Sequence, residues 1–465
     1  MDNISLKEKV SYGLGDFASS MFWKMFGVYL LFFYTDVYGI TAAQVGTMFL
    51  LIRVFDGAND PVMGIIADRT STQWGKFRPY LLWMCIPFAV FGILTFTTPD
   101  WSATNKLLFA YVTHGLMMVV YTAINVPYAS LMGVMTTDSK DRTSLASYRF
   151  VFAFAGGTFV LASAEPLVDF FSSGPSPEAQ QIGWMSTMMF YGVIAAVLFF
   201  FTFYNTRERV FPPKDQQINL KNDLKDLAGN RPWFILLGAG IFTLVFNSVR
   251  DGATIYYFKY YSGNAEALHL GIISTSFTLS TAYLVLGQMA NVVGVTLSQP
   301  ISNIIGKKST FLYAMVLAAV LSLIFFTFDE RHMLVIFIFQ FLISSCAGII
   351  FPILWSMYAD IADYSEWRTG RRATGLIFSS SSMSQKLGWT IGGTLTGWIL
   401  AYYGFEANIE QTSESKTGIK MMMSVIPAVG ALCSALLILF YQLTDGFMEK
   451  VSADLEQKRL KIETN

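Results

Sequence analysis

The sequence has little charge, few cysteines and none of the motifs of the common enzyme classes. Charged residues make up 14% of its 465 residues, whereas a soluble domain is about one quarter charged. Its three cysteines lie far apart in apolar runs and its three histidines are dispersed, which argues against a disulfide framework and a metal cluster. A P-loop, a nucleophile elbow and a zinc-protease helix motif are all missing. Basic and acidic residues both number 32, so no net charge favours nucleic acid. We therefore expect neither an enzyme nor a nucleic-acid-binding protein.

Apolar and aromatic residues dominate instead. Hydrophobic residues make up 53% of the chain, which includes 41 Phe, 22 Tyr and 10 Trp. So little polar surface cannot cover a soluble protein of this length, and the composition predicts an all-α polytopic membrane protein. The first 17 residues mix charges and glycines before any apolar run, so we expect no cleavable signal peptide.

The apolar runs predict twelve transmembrane helices. A helix needs about 20 apolar residues to cross the hydrocarbon core. Six runs of this order carry no charge, a seventh is longer, two are slightly weaker and three are interrupted by charge. The predicted segments are 11–37, 41–67, 80–99, 107–137, 145–172, 179–206, 232–249, 267–306, 309–328, 332–359, 387–405 and 421–444.

The distribution of basic residues predicts the orientation. With the N-terminus in the cytoplasm, 22 of the 32 Lys and Arg fall on the cytoplasmic side, five fall outside and five lie within spans. This asymmetry predicts that both termini are cytoplasmic. A basic polar stretch divides the chain, so the predicted domains are a six-helix bundle at 1–204, a middle loop at 205–231, a second bundle at 232–444 and a tail at 445–465.

Both halves contain similar local patterns. Pro127 precedes Asp138 by eleven residues, and Pro352 precedes Asp363 by the same distance. Two six-helix halves of similar sequence are typical of secondary transporters, whose substrate site lies between the halves near the midplane.

The second span carries the most informative cluster of charge. In Arg53-Val-Phe-Asp56-Gly-Ala-Asn59-Asp60, helical spacing places the three charged residues and Asn59 on one face. Each carboxylate at membrane depth costs about 2.5–3.5 kcal/mol on insertion scales, and the two repel unless a cation lies between them. Their oxygens suit sodium, lithium or a proton. The alternative is an ion pair with Arg53 that only fixes helix packing.

This span and the loop after it resemble a known family. The run Asn59-Asp60-Pro61, Asp68-Arg69 and Trp74-Gly75-Lys76-Phe77-Arg78-Pro79 is similar to the glycoside–pentoside–hexuronide:cation symporters, the melibiose permease-like family of the major facilitator superfamily. Further similar segments extend over most of the chain, at 12–16, 34–36, 125–128, 256–260 and 359–366. The resemblance implies the major facilitator fold and a site that holds one coupling cation and one sugar.

The resemblance also implies particular site residues. The cation-binding residues would be Asp56, Asp60 and Thr122, with Asn59 beside them, and Arg149 and Lys386 would lie near the sugar. Arg149 and Lys386 are also isolated intramembrane cations that need partners, unless each is a helix-end residue whose charge reaches the membrane surface. The full set of predicted substrate-binding residues is Asp16, Ser20, Tyr121, Asn125, Tyr128, Arg149, Trp355, Lys386 and Trp389.

Within that set, the roles differ. Ser20 and Asn125 stand where melibiose permease has acids, so we do not expect an identical melibiose site. Asp16 lies one turn before Ser20 and either replaces the lost acid or neutralises a neighbouring cation. A more positive cavity suits a hexuronide, while a neutral pentoside or glycoside remains equally open. We expect one or two of the four aromatic residues to stack on the sugar.

Two further features suit helices that move. Gly156-Gly157 and Gly392-Gly393 allow close helix approach. Cytoplasmic charges are predicted to form salt bridges between the halves, although such charges are often merely solvated. These gating residues are Asp68, Arg69, Lys76, Arg142, Asp363 and Arg372.

The sequence therefore predicts a cation-coupled sugar symporter in the bacterial inner membrane. Sodium, a proton or lithium would be the coupling cation, and no organic cofactor is expected. The partners would be a sugar or glycoside, a monovalent cation and the lipid bilayer, with no nucleic acid and a functional monomer. The alternative is a major facilitator transporter of an amphiphile such as a lysolipid.

Overall fold

The chain is helical in every long element that the structure describes. The structure, a computed structural model, describes residues 4–136, 139–174, 176–209, 229–262, 278–369 and 374–463. Outside the helices, the described residues contain an isolated β-bridge between Thr72 and Gly75. The helices are α1 Leu6–Tyr38, α2 Ala42–Arg69, α3 Arg78–Thr95, α4 Ala103–Met135, α5 Ser139–Phe171, α6 Pro177–Asn205, α7 Arg231–Tyr261, α8 Leu279–Ile305, α9 Lys307–Phe325, α10 Met333–Thr369, α11 Thr374–Tyr402, α12 Ser413–Leu439 and α13 Asp445–Glu463.

Ten of these helices are long and apolar enough to cross a membrane, among the residues that the structure describes. They are α1, α3 to α10 and α12, with α5 counted from Tyr148 to Phe171. The α2 and α11 helices are as long, at 28 and 29 residues, and α2 carries the charged cluster found in the sequence. The predicted all-helical membrane fold is thus confirmed. Twelve crossings and cytoplasmic termini stay predictions.

Local sequence explains where several helices begin and end. Thr41 and Gln44 form a reciprocal capping box at the start of α2, because each side chain accepts a hydrogen bond from the other residue's backbone N–H, at 3.0 and 3.3 Å. The α6 helix begins with Pro177 after the N-cap Ser176. The α1 helix stops at Gly39, whose φ of 88° lies in the left-handed region that favours glycine.

The α1 helix is not regular along its length. Two π-helical turns interrupt it, at Met25–Tyr29 and at Phe33–Tyr38. Such turns are uncommon and occur often at functional sites, because they widen the helix and redirect side chains. The first π turn begins two residues after Trp23, which lies in the candidate site described below.

The chain divides into two compact units. Unit 1 comprises the described parts of Met1–Asp215, Asn264–Val285 and Leu400–Glu410. Aromatic rings fill the space between α1, α3 and α6: Phe22 lies 4.3 Å from Phe88 between ring centroids, and Phe96 stacks on Trp184 at 6.0 Å. The start of α8 joins this unit because the hydroxyls of Thr278 and Ser280 donate to the carboxylate of Glu165 on α5.

Unit 2 comprises the described parts of Gln216–Gly263, Leu286–Ile399 and Gln411–Asn465. Its core draws apolar side chains from α7, α9, α10 and α12, with Phe246, Phe311 and Tyr358 almost fully buried. Arg250 of α7 is also buried here, and it donates to the carbonyl of Met423 at 2.8 Å and to Gln340 Oε1 at 2.7 Å. Arg250 therefore has neutral oxygen partners within unit 2.

Glycines allow the closest helix crossings in both units. A Cβ on Gly156 of α5 would lie 2.4 Å from the carbonyl oxygen of Phe17 on α1. In unit 2, Gly294 of α8 and Gly348 of α10 lie against each other's helix, and a Cβ on either would lie 2.1–2.2 Å from a backbone oxygen. Because no side chain fits there, these crossings need glycine.

Many helix faces expose large apolar side chains. Phe170, Leu334 and Val54 are 78%, 75% and 69% exposed. Apolar patches of this extent are unusual on a water-soluble monomer, and they suit helix faces that contact lipid tails. The exposed faces and the long apolar helices together indicate a multi-pass membrane protein.

Candidate functional site

Two carboxylates of α2 share one hydroxyl of α4. The Thr122 hydroxyl oxygen lies 2.9 Å from Asp56 Oδ1 and 2.9 Å from Asp60 Oδ1. Asp56 and Thr122 are 2% and 1% exposed, while Asp60 and Asn59 are half-buried. The structure therefore brings Asp56, Asp60 and Thr122 together where α2 contacts α4, and Asn59 precedes Asp60 on α2.

This geometry suits positive charge. A hydroxyl carries a single hydrogen, so it can donate to one carboxylate at a time. The second short distance from the hydroxyl is favourable when a proton or a cation also lies between the oxygens, since the two nearby carboxylates repel each other. Three oxygen-bearing side chains with this spacing are suited to a proton or to a small hard cation.

Arg53 supplies part of the balancing charge and links the acids to an aromatic pair. Its Nη1 lies 3.4 Å from Asp56 Oδ2. The guanidinium carbon lies 4.9 Å from the centroid of the Trp23 ring, and that ring lies 5.8 Å from the ring of Tyr121. Arg53 thus contacts an acid of α2 and an indole of α1 at the same time.

A second ion pair lies between α1 and α5. Arg149 Nε contacts Asp16 Oδ2, and Arg149 Nη2 lies 3.5 Å from Asp16 Oδ1. The guanidinium also lies 5.2 Å from the Tyr128 ring centroid, and Tyr128 stacks on Tyr12 at 4.7 Å. Of the two interpretations of Asp16, this geometry favours neutralisation of a neighbouring cation. The partner of Arg149 lies in its own unit.

The remaining predicted residues of unit 1 differ in exposure. Tyr128 is fully buried and its hydroxyl donates to the Tyr12 carbonyl at 2.6 Å, so its ring supports Arg149. Tyr121, Asn125 and Ser20 are half-buried. Asn125 Oδ1 accepts a hydrogen bond at 2.8 Å from the hydroxyl of Ser19, the residue beside Ser20.

The predicted residues of unit 2 lie on α10 and α11. Lys386, Trp389 and Trp355 are half-buried. The Lys386 carbonyl accepts from the Thr390 hydroxyl at 2.6 Å, within α11. The Trp389 carbonyl accepts from Ser248 of α7 at 3.0 Å, which fixes α11 against α7 at this level. Their contact with a sugar stays a prediction.

The predicted gating residues are only partly described. The side chains of Asp68 and Arg142 lie outside the described residues, as does Arg372 altogether. Arg69 is exposed, and Lys76 and Asp363 are half-buried. Salt bridges between the halves therefore stay a prediction.

Charged contacts within each unit were not anticipated from the sequence. Glu208 accepts three backbone N–H groups, of Lys76, Phe77 and Arg78, at 2.7–2.9 Å, and so holds the loop before α3. Glu8 pairs with Arg209 at 2.8 Å in the same unit. In unit 2, Lys307 pairs with Asp360 and lies 3.8 Å from Asp445, the first residue of α13.

Sequence reasoning missed Trp23 and Ser19. A usable pattern existed, because Trp23 follows Asp16 by seven residues and Ser20 by three, which places all three on one face of α1. Because 16% of the residues are aromatic, Trp23 cannot be distinguished from the other aromatic residues until its neighbours in space are known.

Comparisons with known proteins agree with the helical fold. The inward-facing, unoccupied structure of a bacterial homologue of the human lysosomal transporter Spinster superposes with a TM-score of 0.66 at 12% identity, covering 94% of this chain and 95% of that one. This likeness shows the fold alone.

Sequence relatives define the family. The isoprimeverose transporter of Lactiplantibacillus pentosus is 38% identical and covers 97% of this chain and 91% of its own. The inner membrane symporter YicJ of Escherichia coli K12 is 36% identical, covering 98% and 95%. The family described as MFS/sugar transport protein matches residues 11–445. The chain belongs to this family, the glycoside–pentoside–hexuronide symporters. It is a membrane transporter and not an enzyme.

Proposed function

We propose that this protein is a cation-coupled symporter that moves a sugar or glycoside and a monovalent cation together by alternating access. The observation that carries the proposal is the Thr122 hydroxyl shared between Asp56 and Asp60. A cation or proton at these oxygens would relieve the repulsion of the carboxylates and so favour the loaded protein. Linkage makes the effect of cation on sugar binding equal to that of sugar on cation binding.

The transported sugar is proposed to be neutral. Asp16 balances the charge of Arg149, so this guanidinium has less free charge to offer a substrate carboxylate. One relative, which is 38% identical, is named as an isoprimeverose transporter. This name favours a glycoside over an amphiphile as the cargo. Sodium and the proton both suit the two carboxylates. We place the protein in the bacterial inner membrane, with twelve crossings and as a functional monomer.

The test is gradient-driven uptake into proteoliposomes. Imposed sodium, lithium and proton gradients would be combined with isoprimeverose, a xyloside, a galactoside, a glucoside and a glucuronide. We expect accumulation of a neutral sugar above its external concentration under one of the gradients. Accumulation of the glucuronide alone would contradict the neutral-sugar proposal. Lack of accumulation of every sugar by well-folded protein would contradict the symporter proposal.

Replacement of an acid tests the cation site. Asp60→Asn keeps the shape but removes the charge, and we expect it to abolish gradient-driven accumulation while the purified protein keeps its elution profile. Asp100→Asn, on an exposed residue between α3 and α4, is the matched control and should retain wild-type uptake. Undiminished cation-driven accumulation by Asp60→Asn would rule out this site.

A further inference from the structure

Trp23 of α1 lies between the proposed cation site and the residues predicted to face the sugar. On one side its ring receives the guanidinium of Arg53, at 4.9 Å from the centroid. On the other side it lies 5.8 Å from the Tyr121 ring, with the two planes tilted by 39°. The indole is half-buried, whereas its neighbour Phe22 is fully buried, so part of Trp23 stays accessible.

The connection to the cation site runs through one guanidinium. Arg53 is attracted both by Asp56, at 3.4 Å, and by the π face of the indole, an interaction that favours Trp over other aromatic residues. A cation bound at Asp56 cancels one of these two attractions. The balance of forces on Arg53, and with it the preferred position of the indole, therefore changes when the cation binds.

The connection to the sugar runs along α1 and α4. Trp23 continues the helix face of Asp16 and Ser20. Tyr121, its aromatic partner, directly precedes Thr122, the residue that contacts both acids. An indole and a phenol at this angle offer an apolar wall for the C–H face of a sugar ring, and both carry a polar group that can bind a hydroxyl.

The local backbone also suits a residue that shifts. The first π-helical turn of α1 begins at Met25, two residues after Trp23. A π turn interrupts the regular hydrogen-bond ladder of the helix, and such turns are frequent at functional sites.

We propose that Trp23 is the positioning residue that couples the two bound species. A change of charge at Asp56 alters the position of Arg53 and, through Arg53, the position of the indole, which forms the sugar-stacking wall together with Tyr121. This inference rests on the proposed symport function. It assigns to α1 a role in cooperativity that is separate from the binding of the cation itself, since Asp56, Asp60 and Thr122 remain intact without the indole.

The experiment measures the affinity for isoprimeverose by calorimetry with and without saturating sodium, and repeats the comparison with lithium and at two pH values. The ratio of the two dissociation constants is the coupling factor, and for coupled sites it is typically about 5- to 150-fold. In Trp23→Leu we expect the ratio to fall to within about threefold of unity, while cation affinity without sugar changes by less than about threefold. Trp23→Phe, with a weaker cation–π surface, should give an intermediate ratio.

Two further variants keep the test decisive. Trp83→Leu removes a tryptophan of α3 that is 43% exposed, and it should leave the ratio unchanged. Arg53→Gln should lower the ratio as Trp23→Leu does, and the double variant should lose no more than either single variant. If Trp23→Leu does not fold, Trp23→Phe carries the same comparison.

The outcomes separate the two proposals. A Trp23→Leu protein that binds sugar more weakly by the same factor with and without cation keeps its coupling ratio, and this would overturn the inference while leaving symport intact. Additive losses in the double variant would also overturn it. A wild-type ratio of one, together with failed gradient-driven uptake, would contradict the proposed function itself.

Discussion

At the residue scale, a single threonine defines the chemistry of the acidic pair. If Asp56 and Asp60 each faced an apolar neighbour, the desolvation of each carboxylate would destabilise the protein separately. The Thr122 hydroxyl contacts both at 2.9 Å, so it limits how far apart their oxygens can lie. Because Arg53 already supplies one positive charge, a single bound cation would complete the neutralisation of this compact pair.

Replacement of Thr122 tests whether this hydroxyl helps to hold the cation. Thr122→Val keeps the shape of the side chain and removes the hydroxyl. Because a hydrogen bond to a charged group contributes about 1.5–3 kcal/mol, we expect the cation concentration for half-maximal uptake to rise about 10- to 150-fold. Thr122→Ser keeps the hydroxyl and should remain within about threefold of wild type. Equal half-saturation for the valine and serine variants would show that the hydroxyl does not bind the cation.

For Arg149, the sequence predicts the need for a partner but not the identity of that partner. An isolated intramembrane arginine must have a partner, because its charge is costly in lipid, and the sequence predicts that much. The identity of the partner depends on a contact between residues 133 positions apart. Asp16 was one of several acids within reach, and only the packing of α1 on α5 selects it.

At the element scale, paired glycines decide how closely α8 and α10 approach. A Cβ on Gly348 would lie 2.2 Å from the Asn291 carbonyl oxygen, and one on Gly294 would lie 2.1 Å from the Ser345 carbonyl oxygen. Backbone oxygens cannot move aside as flexible side chains do. The two helices therefore have to separate locally if either glycine gains a side chain.

Gly348→Ala tests this crossing. We expect a loss of stability of about 1–3 kcal/mol, the usual cost of overpacking, seen as a lower midpoint of thermal unfolding in detergent. Gly115→Ala on α4 is the control, because a Cβ there meets no atom within 4 Å, and alanine is a better helix former by about 1 kcal/mol. A Gly348→Ala midpoint equal to or above that of Gly115→Ala would contradict the close crossing.

The glycine pairs in the sequence mark some of the close helix contacts but not others. Gly156 lies at a close contact of α1 with α5. Gly392 of α11 lies against Ser248 of α7, where a Cβ on the glycine would be 2.3 Å from the serine Cβ. Gly294 and Gly348 are isolated glycines, so the sequence offered no pair to mark them. Adjacent glycines can be recognised in the sequence, whereas glycines that meet only when two helices pack cannot.

At the scale of the whole molecule, the distribution of basic residues predicts the orientation in the membrane. Lys76 lies in the α2–α3 loop and Arg78 begins α3, whereas the α3–α4 loop, residues 96–102, carries neither Lys nor Arg. Positive charge is retained in the cytoplasm during insertion. The two loops should therefore lie on opposite sides of the bilayer.

Cysteine labelling in intact cells tests this orientation. In a background that lacks Cys85, Cys346 and Cys433, Ser102→Cys should react with a membrane-impermeant maleimide, and Gln73→Cys should react only after the cells are lysed. Both positions are exposed, so accessibility within the protein does not limit the reaction. The reverse pattern would place the termini outside and refute the predicted topology.

The helical membrane class, the family and the shared face of Arg53, Asp56 and Asp60 follow from the amino-acid sequence alone. These features depend on local properties: the length of apolar runs sets the membrane class, and the 3.6-residue period sets which side chains share a face. They hold before any helix packs on another.

Contacts between side chains of different helices depend on the packed fold. The contact of Thr122 with both acids, the pairing of Asp16 with Arg149 and the place of Trp23 over Arg53 join helices far apart in sequence. Such contacts depend on how helices rotate and slide against each other when they pack, and small residues at the crossings set those positions.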